Sequence, residues 1–394
     1  MPVDLKKIPA EEPLPVAPDK FRWLLTIVLC VIAGAVVVLA LWPKHLSTRS
    51  EWFWFCTLML PLSVGIMGYI IRLRRYENER DRVLWWNHLY QKQYEEKILL
   101  GQKAVGVLGM SYVTPVARNK LAVALLQGGS GLQTHYSPAI QSTLTTASVI
   151  FPSVTLFTEA NYQTRLESIL ASVIGQLHAE LVQFTGNLFV RIHHDGVLNN
   201  EHILTIWRKI FPASYAVNDI TVSTDNSGLM WLDGWLDRRD EALVLSVEIN
   251  LFLQARDQEA ESVSALLLAS PAWLTCYRVM PQMWIHRPVV IAKTEEAVAD
   301  VALWGKITSA VPWFFWRAQV KGSALTAALL AMDKLAFLSE KKGELVLEDT
   351  FGRPGAAVGN ITLICACEHA VISEQTQWLM VGDETTQMVI VRPA

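Results

Sequence analysis

LDGWLDRRDEALVLSVEINLF, residues 232–252, followed after a short loop by AESVSALLLASP, residues 260–271, decides the fold class. Ala242 to Leu253 and Ser262 to Ala269 are apolar runs of strand length, and Gly228 to Leu236 reads as a third strand before them. Consecutive strands without an intervening helix imply a partly antiparallel sheet. Upstream, strand-length apolar runs alternate with amphipathic ones. AVGVLGMSYV (residues 104–113) reads as a strand, Val116 to Gln127 as a helix, and Val149 to Phe157 as a strand interrupted by Pro152. Tyr162 to Thr185 reads as a long helix, Leu188 to His193 as a strand, and Glu201 to Phe211 as a helix stopped by Pro212. Downstream the alternation resumes. Pro288 to Ala292, Phe314 to Val320, Leu345 to Glu348, Ala357 to Cys367 and Gln387 to Val391 read as strands, with helices over Glu295 to Thr308 and Ser323 to Ser339. Two successive α/β units predict a two-lobed α/β region, with lobes at 102–275 and 276–394.

The N-terminal part obeys different rules. WLLTIVLCVIAGAVVVLALW, from Trp23 to Trp42, carries no charge, and about twenty such residues let a helix cross the hydrocarbon core. A second uncharged run extends from Trp52 to Ile71, with Pro61, Gly65 and Gly68 inside it. Trp near each end suits the membrane interface. These runs predict a transmembrane hairpin over residues 21–71, and they explain a mean hydropathy of +0.27 in a chain otherwise of ordinary composition. A cleaved signal peptide fits poorly, because the apolar run is long and a second follows at once. Lys6, Lys7, Lys20 and Arg22 precede the hairpin, and Arg72, Arg74, Arg75, Arg80 and Arg82 follow it, against Lys44 and Arg49 between the runs. Cations flanking a span stay cytoplasmic, so both ends are expected on the cytoplasmic face of a bacterial-type inner membrane. Residues 1–20, with five prolines, read as a disordered tail, and residues 72–101 as a charged helical stalk displaying Trp85 and Trp86.

Net charge −3 excludes the basic footprint of a nucleic-acid binder. Five sparse cysteines make no disulfide framework. Cys365-Ala-Cys367-Glu-His369 has metal-ligand chemistry, but two strand residues on one face lie about 6.5–7 Å apart, too far for one tetrahedral ion. No metal or cofactor is expected. His193-His194-Asp195-Gly196 resembles the histidine pair of peptide-synthetase condensation domains without that motif's further spacing, and reads as an exposed strand end with a turn. Gly128-Gly129-Ser130-Gly131 reads as a helix cap, and of Asp225, Asp233, Asp237 and Asp240, which stand around two tryptophans as a carboxylate site would, Asp225 reads as a turn residue and Asp237 to Asp240 as a solvated loop. Trp313-Phe314-Phe315-Trp316 is either core or partner-anchoring material.

The block at 232–271, together with GRPGAAVGNITLICACEHA (residues 352–370), resembles the thiolase-like, ketosynthase superfamily, which implies a duplicated α/β fold with five layers. The nucleophilic cysteine and later histidines of that family do not map here. Cys276 lacks the serine-rich setting, His286 follows it too closely, and His369 lies in an apolar run. A membrane-linked protein of this kind, with blocks Leu232 to Ala269 and Leu345 to Ala370, resembles the type VI lipase adaptor family. That resemblance implies a lipase effector and a secretion spike protein as partners, with Trp313, Phe314, Phe315, Trp316, Trp85 and Trp86 as partner-binding residues. The alternative is a membrane-associated acyl-transfer enzyme using Cys276.

Overall fold

A computed structural model describes residues 3, 5–43, 47–136, 144–150, 158–225, 227–292 and 294–394. Lys44 and residues 151–157 of the expected strand lie outside them. The chain divides into two compact units, residues 2–97 and 98–394.

In the first unit, helix Lys20–Leu41 starts at Asp19, whose carboxylate accepts the Phe21 N–H at 3.0 Å. The second helix runs continuously over Glu51–Gly101. Both are long and apolar enough to cross a membrane. They pair antiparallel. Trp42 meets Phe53 at one end, with ring centroids 5.0 Å apart, and Trp23 meets Tyr69 at the other, at 5.8 Å. Between these ends Gly34 lies against Pro61, and a Cβ on Gly65 would sit 3.3 Å from Ile27, so small residues let the backbones approach. Pro61 cannot donate a backbone hydrogen bond. Just before it, Phe55–Met59 widens to a π-turn in which the Leu60 N–H reaches Phe55 O. The expected disordered tail is instead held to the stalk over residues 10–12. The Asn87 amide accepts the Glu12 N–H and donates to Glu12 O, both at 2.9 Å, and Arg82 pairs with the Glu12 carboxylate at 2.8 Å.

The second unit is built on one long mixed sheet. Its strands are β1 (Val105–Val113), β4 (Asn187–His194), β5 (Val217–Ser223), β6 (Ala242–Asn250), β7 (Ser262–Ala269), β8 (Met283–Ile285), β9 (Val289–Val290), β10 (Trp313–Ala318), β11 (Lys341–Val346), β12 (Thr376–Gly382) and β13 (Thr386–Pro393), while β2 (Leu132–Tyr136) and β3 (Leu144–Ser148) form a separate hairpin. The order across the sheet is β5-β4-β6-β7-β1-β8-β13-β12-β10-β11, with short β9 beside β13. β5, β4 and β6 are mutually parallel, and β7 and then β1 follow antiparallel. On the other side β11, β10 and β12 are parallel, and β13 and then β8 follow antiparallel. Counted in chain order, the five strands of each half run third, second, fourth, fifth, first. The same order and the same strand directions twice over make a duplicated architecture. The halves join where Val105–Val107 of β1 pairs with Met283–Ile285 of β8.

The sheet closes around a central helix layer. Val358–Ser373 is buried from Val358 through Cys367 and packs with Leu121–Leu126, touching Val244, Leu266 and Leu268 of one half and Leu379, Val381 and Val389 of the other. On the outer face of the first half lie Glu159–Gln176 and Asn200–Ile210, which share a core with Val263, Ala265 and Leu267, the alternate side chains of β7. Thr294–Trp304 covers β13 on the far side and packs on Gly322–Lys334. The result is five layers, α-β-α-β-α.

Several expectations need correction. Ala357 to Cys367 is helix, not strand: a helix enclosed by sheet on both sides is apolar all round and shows no 3.6-residue period. For the same reason Gly355–Ser373 has the length and hydropathy of a membrane span, yet it is the core of the second unit. Gly228 to Leu236 forms a turn and the helix Trp231–Leu236, and Leu347–Thr350, at the end of an expected strand, is helical. The long helix expected over Tyr162 to Thr185 breaks at Leu177 into Glu159–Gln176 and His178–Gln183.

Candidate functional site

Ligands of open α/β sheets collect outside the carboxyl ends of parallel strands, and here both halves deliver those ends to one cleft. β4 ends in His193 and His194, followed by Asp195. Thr224 follows β5, Asn250 ends β6, Gln319 follows β10, and Asp383 follows β12. The cavity that His194, Asp195, Thr224, Asn250, Gln319 and Asp383 line with Gly355 measures about 250 Å³, and it adjoins a second of about 610 Å³ bordered by Arg317, Glu348 and Arg353.

The histidines are buried, not exposed as the sequence suggested, because β5 and β6 flank β4 on both edges. The His193 Nδ1–H donates to Ser223 O at 3.2 Å, which leaves Nε2 as the acceptor nitrogen. Burial, reinforced by the Arg191 charge, depresses its pKa to about 4, so it is neutral at physiological pH. His194 is fully engaged: Nδ1 accepts the Gly196 N–H at 3.2 Å and Nε2 donates to Asn200 Oδ1 at 2.8 Å. Asp195 pairs with Arg256 at 2.9 Å, yet burial raises its pKa to about 6. Burial also pushes the Asp383 carboxyl up, while its Oδ2 accepts the Gly228 N–H at 3.1 Å.

One acceptor in the wall is unused. The Asn250 amide donates to Ala260 O at 2.8 Å, but its buried Oδ1 has no protein partner. Gly355, at φ +55°, comes so close that a Cβ there would stand 2.6 Å from that oxygen. Gln319 closes the opposite side, donating its backbone N–H to Glu348 and its amide to Gly355 O at 3.2 Å.

Beneath the cleft, a buried ionic cluster fixes the central helix. Ala357 at the start of Val358–Ser373 has no side chain to cap it. Glu248 of β6 supplies the missing acceptor, taking the Asn360 N–H at 2.7 Å, and Arg191 of β4 balances its charge at 3.1 Å. Asn360 in turn donates to Ser246 O at 2.9 Å and accepts the Ser246 hydroxyl at 3.2 Å.

The cysteines stand elsewhere. Cys365 and Cys367 are buried in the central helix, where residues two apart point to different sides, and burial drives both thiols well above the ordinary range. Their neighbour Glu368 accepts the Tyr112 hydroxyl at 2.6 Å and the Ala122 N–H at 2.8 Å, and His369 Nδ1 meets Gln377 Oε1 at 2.8 Å. Among the described residues no cluster of three or more ligating side chains is placed to hold a metal. Cys276 is exposed on helix Pro271–Tyr277, after the end of β7 that pairs with the start of β6, hence at the end of the sheet opposite the cleft. The hydrogen bond that its S–H donates to the Glu241 carboxylate raises its thiol pKa.

Trp313, Phe315 and Trp316 are fully buried and Phe314 nearly so, because β10 is an interior strand between β11 and β12. The surface role expected for them is therefore replaced by a core role. Trp85, 64 % exposed, and Trp86, 36 % exposed, do face outward on the stalk. Asp233 and Asp237 are partly buried, with 14 % and 30 % of their side chains exposed. Both clamp the fully buried Arg287, Asp237 at 2.5 Å. Ser130 closes the Gly128–Gly129 helix cap by donating to Thr350 O at 2.8 Å, the turn expected after Asp225 runs through residue 226, outside the described residues, and Asp240 pairs with Arg238 at 2.5 Å. Sequence reading missed Asn250, Arg256, Gln319 and Asp383, whose one shared signal is position just beyond a strand.

No protein-family model and no curated protein matches the sequence. Solved structures do. The chain superposes on an oxazolomycin ketosynthase domain from Streptomyces albus with TM-score 0.52 and 9% identity, over 74% of this chain and 76% of that one. A β-ketoacyl synthase from Burkholderia phymatum gives 0.51 and 9%, over 74% and 100%. A chain from a complex of a type II polyketide acyl-carrier protein with its ketosynthase gives 0.51 and 10%, over 74% and 100%. The globular unit has the thiolase-like, ketosynthase fold. At these identities the likeness speaks for architecture alone.

Proposed function

We propose that this chain is a membrane-anchored adaptor, in which a thiolase-like domain has become a protein-binding module at the cytoplasmic face of a bacterial inner membrane. The partner implied by the sequence resemblance is a type VI secretion lipase effector, passed on to the spike. The observation carrying this reading is the placement of the thiols. Of the three thiols in the globular unit none lies in the cleft at the carboxyl ends of the strands; Cys365 and Cys367 are sealed in the central helix and Cys276 is at the opposite end of the sheet. Thiolate chemistry needs an accessible sulfur of lowered pKa, and all three sulfurs here are shifted upward. The outward-facing Trp85 and Trp86 are the aromatic anchors this reading assigns to the partner.

The test combines the full chain in nanodiscs with a purified type VI phospholipase effector from the same genome. Binding by calorimetry, reduced by Trp85→Ala with Trp86→Ala, supports the adaptor. Incubation with acyl thioesters followed by intact mass measurement tests the other reading, an acyl-transfer enzyme using Cys276, for which the exposure of that thiol is the favouring observation. An acyl adduct on Cys276, or turnover lost in Cys276→Ser, would overturn the adaptor.

A further inference from the structure

At the end of the sheet opposite the polar cleft, a cavity of about 640 Å³ opens between helix Pro271–Tyr277, β8 and the end of β13. Its size is that of a small-ligand pocket. Its charge is one-sided: Arg278, Lys306 and Arg392 line it, and no Asp or Glu does. The rest of the wall is largely apolar, with Leu274, Val279 and Trp284 prominent.

Like charges gathered without counterions repel one another, so a protein that keeps three on one wall gains when an anion joins them. Arg392 is anchored by donating to Gly305 O at 3.2 Å, and its remaining guanidinium N–H groups are available. Arg278 and Lys306 are exposed and hold the left-handed backbone conformation, at φ +52° and +53°, which a glycine would take at less cost. Side chains rather than glycines at both positions place two cations at the cavity mouth. Deeper in the wall, His286 is 5 % exposed, and its buried Nδ1, an acceptor because the other ring nitrogen bonds the Trp304 backbone, has no partner among the described residues and is open to a donor on the ligand or a water it brings. An unsatisfied buried nitrogen costs about 1–3 kcal/mol unless a ligand meets it. The cations press on this ring as well: after burial, the Arg392 and Lys306 charges are the main reasons its pKa falls to about 3.

We infer that this cavity binds a small amphiphilic anion, a phosphate or carboxylate on an apolar body, with the anionic group among Arg278, Lys306 and Arg392 and the apolar body along Leu274, Val279 and Trp284. A free fatty acid and a lysophospholipid headgroup with its chain share this chemistry. The site is separate from the carboxyl-end cleft and independent of the adaptor reading.

The probe is hexyl phosphate, titrated by calorimetry into the full chain in nanodiscs, with empty nanodiscs subtracted. Hexanol, inorganic phosphate and hexyltrimethylammonium are the comparison ligands, and hexanoate set against hexyl phosphate separates the two sources. Hexyl phosphate or hexanoate is expected to bind more tightly than hexanol or phosphate alone, and the cation not to bind. Lys306→Gln with Arg278→Gln, both exposed and without structural partners, is expected to weaken binding by roughly tenfold or more with thermal stability unchanged. Occupancy is also expected to raise the His286 pKa, followed by NMR of labelled imidazole. Binding of hexanol as tight as that of both anions, or equal affinity in the double variant, would overturn the site.

Discussion

Glu248→Ala is the substitution whose outcome bears hardest on the interior. It removes the carboxylate that caps the central helix at Asn360, 2.7 Å away, and leaves the Arg191 guanidinium buried with its 3.1 Å partner gone. Burial opposes both charges, pushing the Glu248 carboxyl up and the Arg191 guanidinium down, so each depends on the other. Breaking a buried pair from one side costs about 3–5 kcal/mol, and an uncapped helix start adds about 1 kcal/mol. Glu248→Gln keeps shape and an acceptor but loses the charge at the helix N-terminus, which is worth about 1–2 kcal/mol. Arg191→Met with Glu248→Met removes both charges, and such replacements are often neutral or stabilising by about 1–4 kcal/mol relative to the ion pair. The double variant relieves the stranded charge but still lacks the cap, so the expected order of stability is wild type first, the double variant and Glu248→Gln below it by about 1–2 kcal/mol, and Glu248→Ala last. Urea unfolding in nanodiscs reads this order from tryptophan fluorescence, because Trp313, Trp316 and Trp378 are buried reporters. A Glu248→Ala protein within about 1 kcal/mol of wild type, or a double variant as weak as Glu248→Ala, would refute the capping argument.

Three further outcomes follow from the same coordinates. Arg287→Ala strands Asp233 and Asp237, so a loss of about 3–5 kcal/mol is expected by the same urea assay; a loss below about 1 kcal/mol would mean that water already serves both carboxylates. His193, His194 and His286 all have folded pKa values below the ordinary 6.5, so their contribution is complete above pH 6.5 and drains away as pH falls toward 4. Asp195, raised to about 6, works in reverse, favouring the fold near pH 4 and losing that advantage as pH climbs to 6. Asp383 and Glu248, also raised by burial, act with Asp195, so the histidine share is read from a difference: His193→Asn should lower the slope of unfolding free energy against pH between about 4 and 6.5 by up to about 1.4 kcal/mol per pH unit relative to wild type; an unchanged slope contradicts the assignment. Iodoacetamide on the native protein should label Cys276 slowly and spare Cys365 and Cys367 until denaturant is added, as read by peptide mass spectrometry. Fast native labelling of the buried pair would show that the central helix opens.

What the sequence discloses tracks how each segment is covered. β6 and β7 are buried over their whole length, and their unbroken apolar runs read as strands at once. The central helix Val358–Ser373 is equally buried, so its run looked the same and was assigned the same way, wrongly. Ringed by sheet, it has no polar face whose period would betray a helix. Trp313 to Trp316 suffers from a related ambiguity, since aromatics serve cores and interfaces alike, and only the neighbours β11 and β12 decide between them. The cleft was invisible for another reason. Each strand end contributes one ordinary polar residue, such as Asn250, Gln319 or Asp383, and no spacing along the chain links residues that the sheet order alone assembles.

The duplication also explains why capping crosses between the halves. Glu248 belongs to the first half and caps the central helix of the second, whereas Glu368 belongs to the second and caps the helix Leu121–Leu126 of the first, taking the Ala122 N–H at 2.8 Å. Neither helix has a capping side chain of its own, Ala357 and Lys120 standing at their starts. Each half thus leaves helix N–H groups unsatisfied until the other arrives, and those donors are buried, so water cannot replace the carboxylates. Three backbone pairs between β1 and β8 would by themselves be a weak hinge. The reciprocal carboxylates turn that hinge into a closed sandwich, and the cleft exists because the closure brings Asn250 and Asp195 of one half against Gln319, Gly355 and Asp383 of the other.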